Sequence, residues 1–210
     1  MDWKQLPLGP LQTNCYILYD VDKAVVFDPG GDAHILERWL AEKQLKPIAI
    51  VLTHAHFDHI GAVQELREKW GISVFLHENE KGWLTDPSKN GSALFLGNEA
   101  ITAAEADEWI TGEEMLHIGP FEFKIYETPG HSPGSVSFYH KGTSTIFSGD
   151  VLFYGGIGRT DLPGGNHEQL IRSIHDKLLS LPEDTAVACG HGPVTTIEDE
   201  MNSNPFLNGF

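Results

Sequence analysis

The chain has 210 residues, enough for one large domain or two small ones around a substantial core. With 14 basic against 30 acidic residues its formal net charge is −16, which excludes the basic stripe that nucleic-acid binding requires. No apolar run reaches the roughly 18 residues of a membrane-spanning helix, and the start Met1-Asp2-Trp3-Lys4 has no basic and apolar regions like those of a signal peptide, so a cytoplasmic protein without a membrane partner is expected. Cys15 and Cys189 form neither a CxxC pair nor a disulfide framework, which suits a reducing compartment.

In chain order, Asn14–Tyr19 and Ala24–Phe27 read as strands joined by a turn at 20–23. Asp28-Pro29-Gly30-Gly31 ends the second strand. Asp32 is expected to cap a helix whose apolar face is Ile35, Leu36, Trp39 and Leu40. After Pro47, the run Ile48–Leu52 reads as a buried strand, and it leads into Thr53-His54-Ala55-His56-Phe57-Asp58-His59.

That stretch carries four metal-ligand-grade side chains in the spacing H-x-H-x-D-H. His54 and His56 are two residues apart, which would put them on different faces of a helix, so the helical H-E-x-x-H arrangement is excluded. A loop after a strand can bend both toward one ion. Asp58 and His59 then open an apolar-periodic segment and sit at a helix N-terminus. Four donors in six residues exceed what one tetrahedral ion needs once distant partners join, which points to two metals. After the motif, Ala62, Val63, Leu66 and Trp70 form another helical face, which stops at Gly71. Ile72–Leu76 reads as a strand, and residues 85–105 as a long irregular loop of the kind that often forms a lid.

In the second half, Phe121–Glu127, Val136–Tyr139 and Thr143–Phe147 read as strands, His167–Leu181 as a helix with Leu170, Ile171, Ile174 and Leu178 on its face, and Thr185–Cys189 as a last buried strand. Strand-rich stretches precede the crossover helices in each half, which favours two packed sheets with helices outside over one doubly wound sheet. Four strand-like segments end in a ligand-grade residue beside a glycine or small residue: His54, then His131 after Pro129-Gly130, Asp150 after Ser148-Gly149, and His191 after Gly190. Strand-end loops are where folds place their sites, and glycine lets backbone approach an ion or substrate. A lone His or Asp after a strand is usually structural; four such ends together with H-x-H-x-D-H are not. The remaining histidines, 34, 77, 117, 140, 167 and 175, have no partners in motif spacing and read as structural or surface residues.

These motifs, with Gly155-Gly156-Ile157-Gly158-Arg159-Thr160-Asp161 and Gly190-His191-Gly192-Pro193-Val194-Thr195-Thr196, resemble the metallo-β-lactamase superfamily, and within it the glyoxalase II-type (hydroxyacylglutathione hydrolase-like) short bacterial metallo-hydrolases. The resemblance runs from Asn14 to the tail at 204–207. It implies an α/β fold, the αββα sandwich of two mixed sheets with helices on the outer faces. It implies that His54, His56 and His131 hold one metal, that Asp58, His59 and His191 hold the second, and that Asp150 bridges them. Two divalent ions are implied, zinc first, with iron or manganese as alternatives. Asp28 is implied to support a ligand histidine from behind, and Arg159 to meet the carboxylate of a thiol carrier.

The implied reaction is hydrolysis of a small thioester such as S-lactoylglutathione by a bridging hydroxide, with Asp58 both ligand and acceptor of the hydroxide's proton. Two features depart from the pattern. Cys189 stands where the branch has proline, and reads as a small core residue. Only 19 residues follow His191, so a single domain without the helical glutathione-binding domain of full-length glyoxalase II is expected, as a monomer or small homo-oligomer. The alternative is a persulfide dioxygenase with one iron on His54, His131 and Asp150. A nuclease of the superfamily would bring basic surface, which is missing, and a non-catalytic binding module has no need of seven ligands.

Overall fold

The computed structural model describes residues 1–207. Its strands are β1 (Asp2–Leu8), β2 (Thr13–Asp20), β3 (Lys23–Phe27), β4 (Lys46–Val51), β5 (Ser73–His77), β6 (Glu108–Ile110), β7 (Met115–Ile118), β8 (Phe121–Glu127), β9 (Val136–His140), β10 (Thr145–Gly149), β11 (Leu152–Phe153), β12 (Gly156–Ile157), β13 (Ala186–Cys189) and β14 (Thr195–Thr196). Its helices are α1 (Ala33–Glu42), α2 (Phe57–Ile60), α3 (Val63–Trp70), α4 (Ser92–Leu96), α5 (His167–Ser173) and α6 (Ile197–Ser203). Residue contacts divide the chain into two units. One is Met1–Thr111 with His117–Phe121, and the other is Gly112–Leu116 with the chain from Glu122 onward.

The first unit holds a six-stranded mixed sheet in the order β1-β2-β3-β4-β5-β6. Short turns join β1, β2 and β3, which pair antiparallel. Helices intervene before β4 and β5, and β3, β4, β5 and β6 are parallel, as crossover connections require. Leu36 and Leu40 of α1 and Val63 and Leu66 of α3 are buried with Ile50, Leu52, Val74 and Leu76 of the β4–β5 region. Each such side chain contributes about 1.5–3 kcal/mol of burial, and the 3.6-residue spacing of the apolar positions selects the helical face that receives it. Gly71, in the left-handed region at φ 62°, ends α3 by taking Arg67 O with its N–H.

The second unit holds the sheet β14-β13-β10-β9-β8-β7 and a two-stranded ribbon, β11–β12. β8 runs antiparallel to β9, and β9 antiparallel to β10, while β10 and β13 are parallel. β8, β10 and β13 therefore all point the same way. Leu170 of α5 and Ile174 and Leu178 of the turn that follows are buried with Ile146, Val187 and Ile197. Asn166 caps α5, its side chain accepting Gln169 N–H.

Several local expectations need correcting. Asp32 stands at the N-cap position of α1 but does not cap it: it sits at φ 45°, and its carboxylate turns away to accept Gly9 N–H at 2.9 Å. Residues 85–105 are not structureless, because α4 and a short 3₁₀ turn lie within them. The helix expected over 167–181 is α-helical only to Ser173 and then widens to a π-type turn over 174–178. β1, β6, β7, the β11–β12 ribbon, β14 and α6 were not anticipated. All but β1 and α6 are at most four residues long and show too little alternation to read. Among the described residues no helix is long and apolar enough to cross a membrane.

Candidate metal centre

Each unit carries one part of the expected donor set at the carboxyl ends of strands that run in parallel. Ligand sites in open α/β sheets collect at such ends.

In the first unit Phe27 and Val51 are register partners, so Asp28 follows β3 beside the point where the H-x-H-x-D-H loop leaves β4. Asp28 is 3 % exposed. Its Oδ1 accepts Thr53 N–H at 2.8 Å, and its Oδ2 accepts the Thr53 hydroxyl at 2.6 Å and His59 Nδ1 at 3.0 Å. A carboxylate only accepts, so His59 carries its proton on Nδ1 and its lone pair on Nε2. The Thr53 hydroxyl has already given its single proton to Asp28. It therefore accepts from His54 Nδ1, 3.1 Å away, and His54 likewise presents Nε2 as the lone-pair nitrogen. One buried carboxylate thus sets the tautomer of two histidines, directly and through a hydroxyl.

Donor atoms of His54 lie within 4.8 Å of those of His56 and of His59, and those of Asp58 within 4.8 Å of those of His59. His59 Nε2 and Asp58 Oδ2 are 3.6 Å apart. Two ligand atoms on one tetrahedral ion, each bonded at about 2.0–2.1 Å, stand about 3.3 Å from each other, so this pair fits a shared cation with slight closure.

Two further residues hold this loop, and no motif points to either. Glu80, completely buried in the 3₁₀ turn after β5, accepts Ala55 N–H at 2.6 Å, between His54 and His56. β5 is the next parallel strand after β4, so topology alone could have nominated its carboxyl end, but one carboxylate among 30 acidic residues attracts no notice. Thr13, completely buried at the start of β2, donates its hydroxyl to Asp58 Oδ2 at 2.7 Å. No motif marks it.

In the second unit the common direction of β8, β10 and β13 places His131, Asp150 and His191 at one edge. Asp150 Oδ2 is 3.6 Å from His131 Nε2 and 3.5 Å from His191 Nε2. A single oxygen at ligand spacing from two histidines is the arrangement a bridging carboxylate needs. His131 Nδ1 donates to the main-chain carbonyl of Arg159 at 2.7 Å, which leaves Nε2 as the lone-pair nitrogen. Histidines tied at one nitrogen to a carboxylate or carbonyl are the usual companions of a metal. By donor chemistry, tautomer and spacing, both sets fit divalent cations.

The Arg159 side chain is half exposed and forks onto Asp161, Nε and Nη2 each 2.7 Å from a carboxylate oxygen. That pairing holds the Asp161 carboxyl down at about 2 and raises the guanidinium further above its usual range. Cys189 is completely buried, and its Sγ lies 3.1 Å from the carbonyl oxygen of His191 and 3.3 Å from that of Pro193, which share its single S–H. Burial pushes its thiol up to about 11.

The model of the metallo-β-lactamase superfamily matches residues 8–191. The chain is 57 % identical to probable metallo-hydrolase YqgX of Bacillus subtilis over 100 % of this chain and 99 % of that one. It is 41 % identical to hydroxyacylglutathione hydrolase GloC of Haemophilus influenzae over 99 % of both. Among solved structures, BLEG-1 B3 metallo-β-lactamase matches with a TM-score of 0.97 and 57 % identity over 99 % of this chain and 100 % of that one. TTHA1623 in a di-iron-bound form matches with a TM-score of 0.86 and 40 % identity over 97 % and 100 %. ETHE1 from Myxococcus xanthus matches with a TM-score of 0.81 and 29 % identity over 98 % and 84 %. The chain belongs to the metallo-β-lactamase superfamily, has its αββα fold, and is one of its metallo-hydrolases.

Proposed function

From that membership we propose that the chain is a two-metal thioester hydrolase of glyoxalase II type. His54, His56 and His131 would hold one ion and Asp58, His59 and His191 the second, with Asp150 common to both. The observation that carries this is the donor set itself. His54, His59 and His131 each present Nε2 because Nδ1 is committed to a hydroxyl, a carboxylate or a carbonyl. The full-length similarity to GloC supports the thioester, and the di-iron form of TTHA1623 supports two ions without choosing their identity. Bound ions of this kind supply hydroxide at neutral pH and polarise a carbonyl.

The chain's own residues do the rest. Asp28 and Thr53 hold His54 and His59 in one tautomer, so no reorganisation is needed when a ligand arrives. We assign to Asp58 the acceptance of the proton of the attacking water. A thiol of ordinary pKa, about 8.5, leaves as thiolate without protonation, so a base is the main demand on the protein. Arg159 is the side chain we assign to a carboxylate on the thiol carrier. Because Asp161 already occupies its fork, its contribution should be that of an exposed ion pair, below about 1 kcal/mol, and Arg159→Ala should raise KM a few-fold with kcat unchanged.

The test is metal analysis of the purified chain with steady-state turnover of S-lactoylglutathione, a second acyl thioester, a β-lactam and a persulfide. Two metal equivalents and thioester turnover abolished by chelation are expected. β-Lactam turnover without thioester turnover would overturn the thioester reading in favour of the activity BLEG-1 is named for. One iron per chain with oxygen uptake on persulfide would overturn it in favour of the dioxygenase.

A further inference from the structure

We infer that Thr13, in the first hairpin of the chain, is a positioning residue for the second metal, acting through Asp58; this rests on the two-metal reading above. Thr13 Oγ1 donates to Asp58 Oδ2 at 2.7 Å with both residues buried. Oδ2 is also the oxygen that faces His59 Nε2 at 3.6 Å. A carboxylate oxygen has two lone-pair directions. With one taken by Thr13, one remains for an ion shared with His59, and the carboxylate cannot rotate without breaking a buried hydrogen bond.

Thr13 follows a turn that is tied down on both sides. Gln12, at φ 53°, closes the β1–β2 turn with its N–H on Gly9 O at 3.1 Å, and Gly9 N–H is tied to Asp32 Oδ2 at 2.9 Å. The Asp28–Gly31 turn is wedged between this hairpin and the ligand loop. Pro29 O accepts Ala62 N–H at 2.9 Å. A Cβ on Gly30 would lie 2.0 Å from Asp58 O and 3.2 Å from the Thr13 Cβ, so only glycine permits this approach. The β1–β2 hairpin is thus connected to Asp58 through main chain and side chain alike, although it carries no ligand.

The experiment is a cobalt(II) titration of the metal-stripped full-length protein, followed by absorption and by competition with a chromophoric chelator. It compares wild type with Thr13→Val, which keeps the shape and removes the O–H, and Thr13→Ser, which keeps the O–H. Partners behind a ligand typically matter 10–100-fold in metal affinity, so Thr13→Val should weaken the second cobalt equivalent by about that factor and leave the first unchanged. Thr13→Ser should restore it. Thermal melts of the stripped variants show whether each folds; if Thr13→Val does not, Thr13→Ala against Thr13→Ser gives the same contrast. Two tight equivalents in Thr13→Val, or a Thr13→Ser chain as weak as Thr13→Val, overturns the inference alone. A wild-type chain that takes up one equivalent overturns the two-metal reading and this inference with it.

Discussion

The two units hold their donors by different means. In the first, four donors crowd into six residues, and buried side chains from other elements brace them: Asp28 after β3, Glu80 after β5 and Thr13 on β2. In the second, each donor lies one to four residues past its own strand and is held mainly through main chain: the Arg159 carbonyl on His131, the Gly149–Cys189 register beside Asp150 and His191, and the carbonyl of His191 under the Cys189 thiol. A dense loop has too few regular hydrogen bonds to fix itself, so it borrows polar side chains. Strand ends are already fixed by their ladder, and need only room for the backbone to pass.

Side-chain truncation should therefore damage the first unit most, whereas added bulk beside the donors should damage both. The largest effect is expected for Asp28→Ala. It strands the Thr53 N–H, the Thr53 hydroxyl and His59 Nδ1 in a dry interior, where each unsatisfied donor costs about 1–3 kcal/mol, and the sum should reach roughly 3–5 kcal/mol. Urea unfolding of the metal-free variant measures it. A loss below 1 kcal/mol would mean the loop is not braced as described.

Next comes Gly158→Ala in the second unit. The added Cβ would stand 1.9 Å from Asp150 O and 3.2 Å from the His131 Cβ, so main chain must move. Overpacking of this kind costs about 1–3 kcal/mol, and here the displaced groups are two proposed ligands. The same unfolding assay, with metal content alongside, should show stability and stoichiometry falling together. Unchanged metal content would show that the second unit tolerates shifts its geometry suggests it cannot.

The smallest effect is expected at the Arg159–Asp161 fork. Asp161 is lowered to about 2 chiefly by the hydrogen bond from Arg159. A carboxyl whose folded pKa is depressed adds stability above its unfolded value, near 3.9, and loses it as pH falls through about 2. The pair is exposed, so Asp161→Asn should leave the melting temperature nearly unchanged at pH 7. Carbon-13 NMR should place the Asp161 midpoint near 2 in the parent and near the ordinary value in Arg159→Ala. A normal midpoint in the parent would show that the fork does not persist in solution, and would return Arg159 to full strength toward a substrate carboxylate.

Much of this protein is readable without coordinates. Apolar periodicity marks α1 and α3, alternation marks β8, and short apolar runs bounded by turn residues mark β2 and β3, whose side chains are buried on both faces. The candidate donors are legible because metal ligation admits few residue types, and six closely spaced residues carrying four of them are rarely accidental. Thr13 and Glu80 leave no such trace. A threonine at a strand start and a glutamate in an acidic chain are ordinary until β2, β4 and β5 are laid side by side. Asp32 shows the same limit from the other direction: its position promises a helix cap, but the neighbouring hairpin offers Gly9 N–H, and the tertiary partner wins. Residue chemistry and local period, both properties of short windows, determined the elements and the donors. Which buried hydroxyl or carboxylate stands behind each donor depends on groups 25 to 45 positions apart in the chain, and only the packing of strands into sheets could decide it.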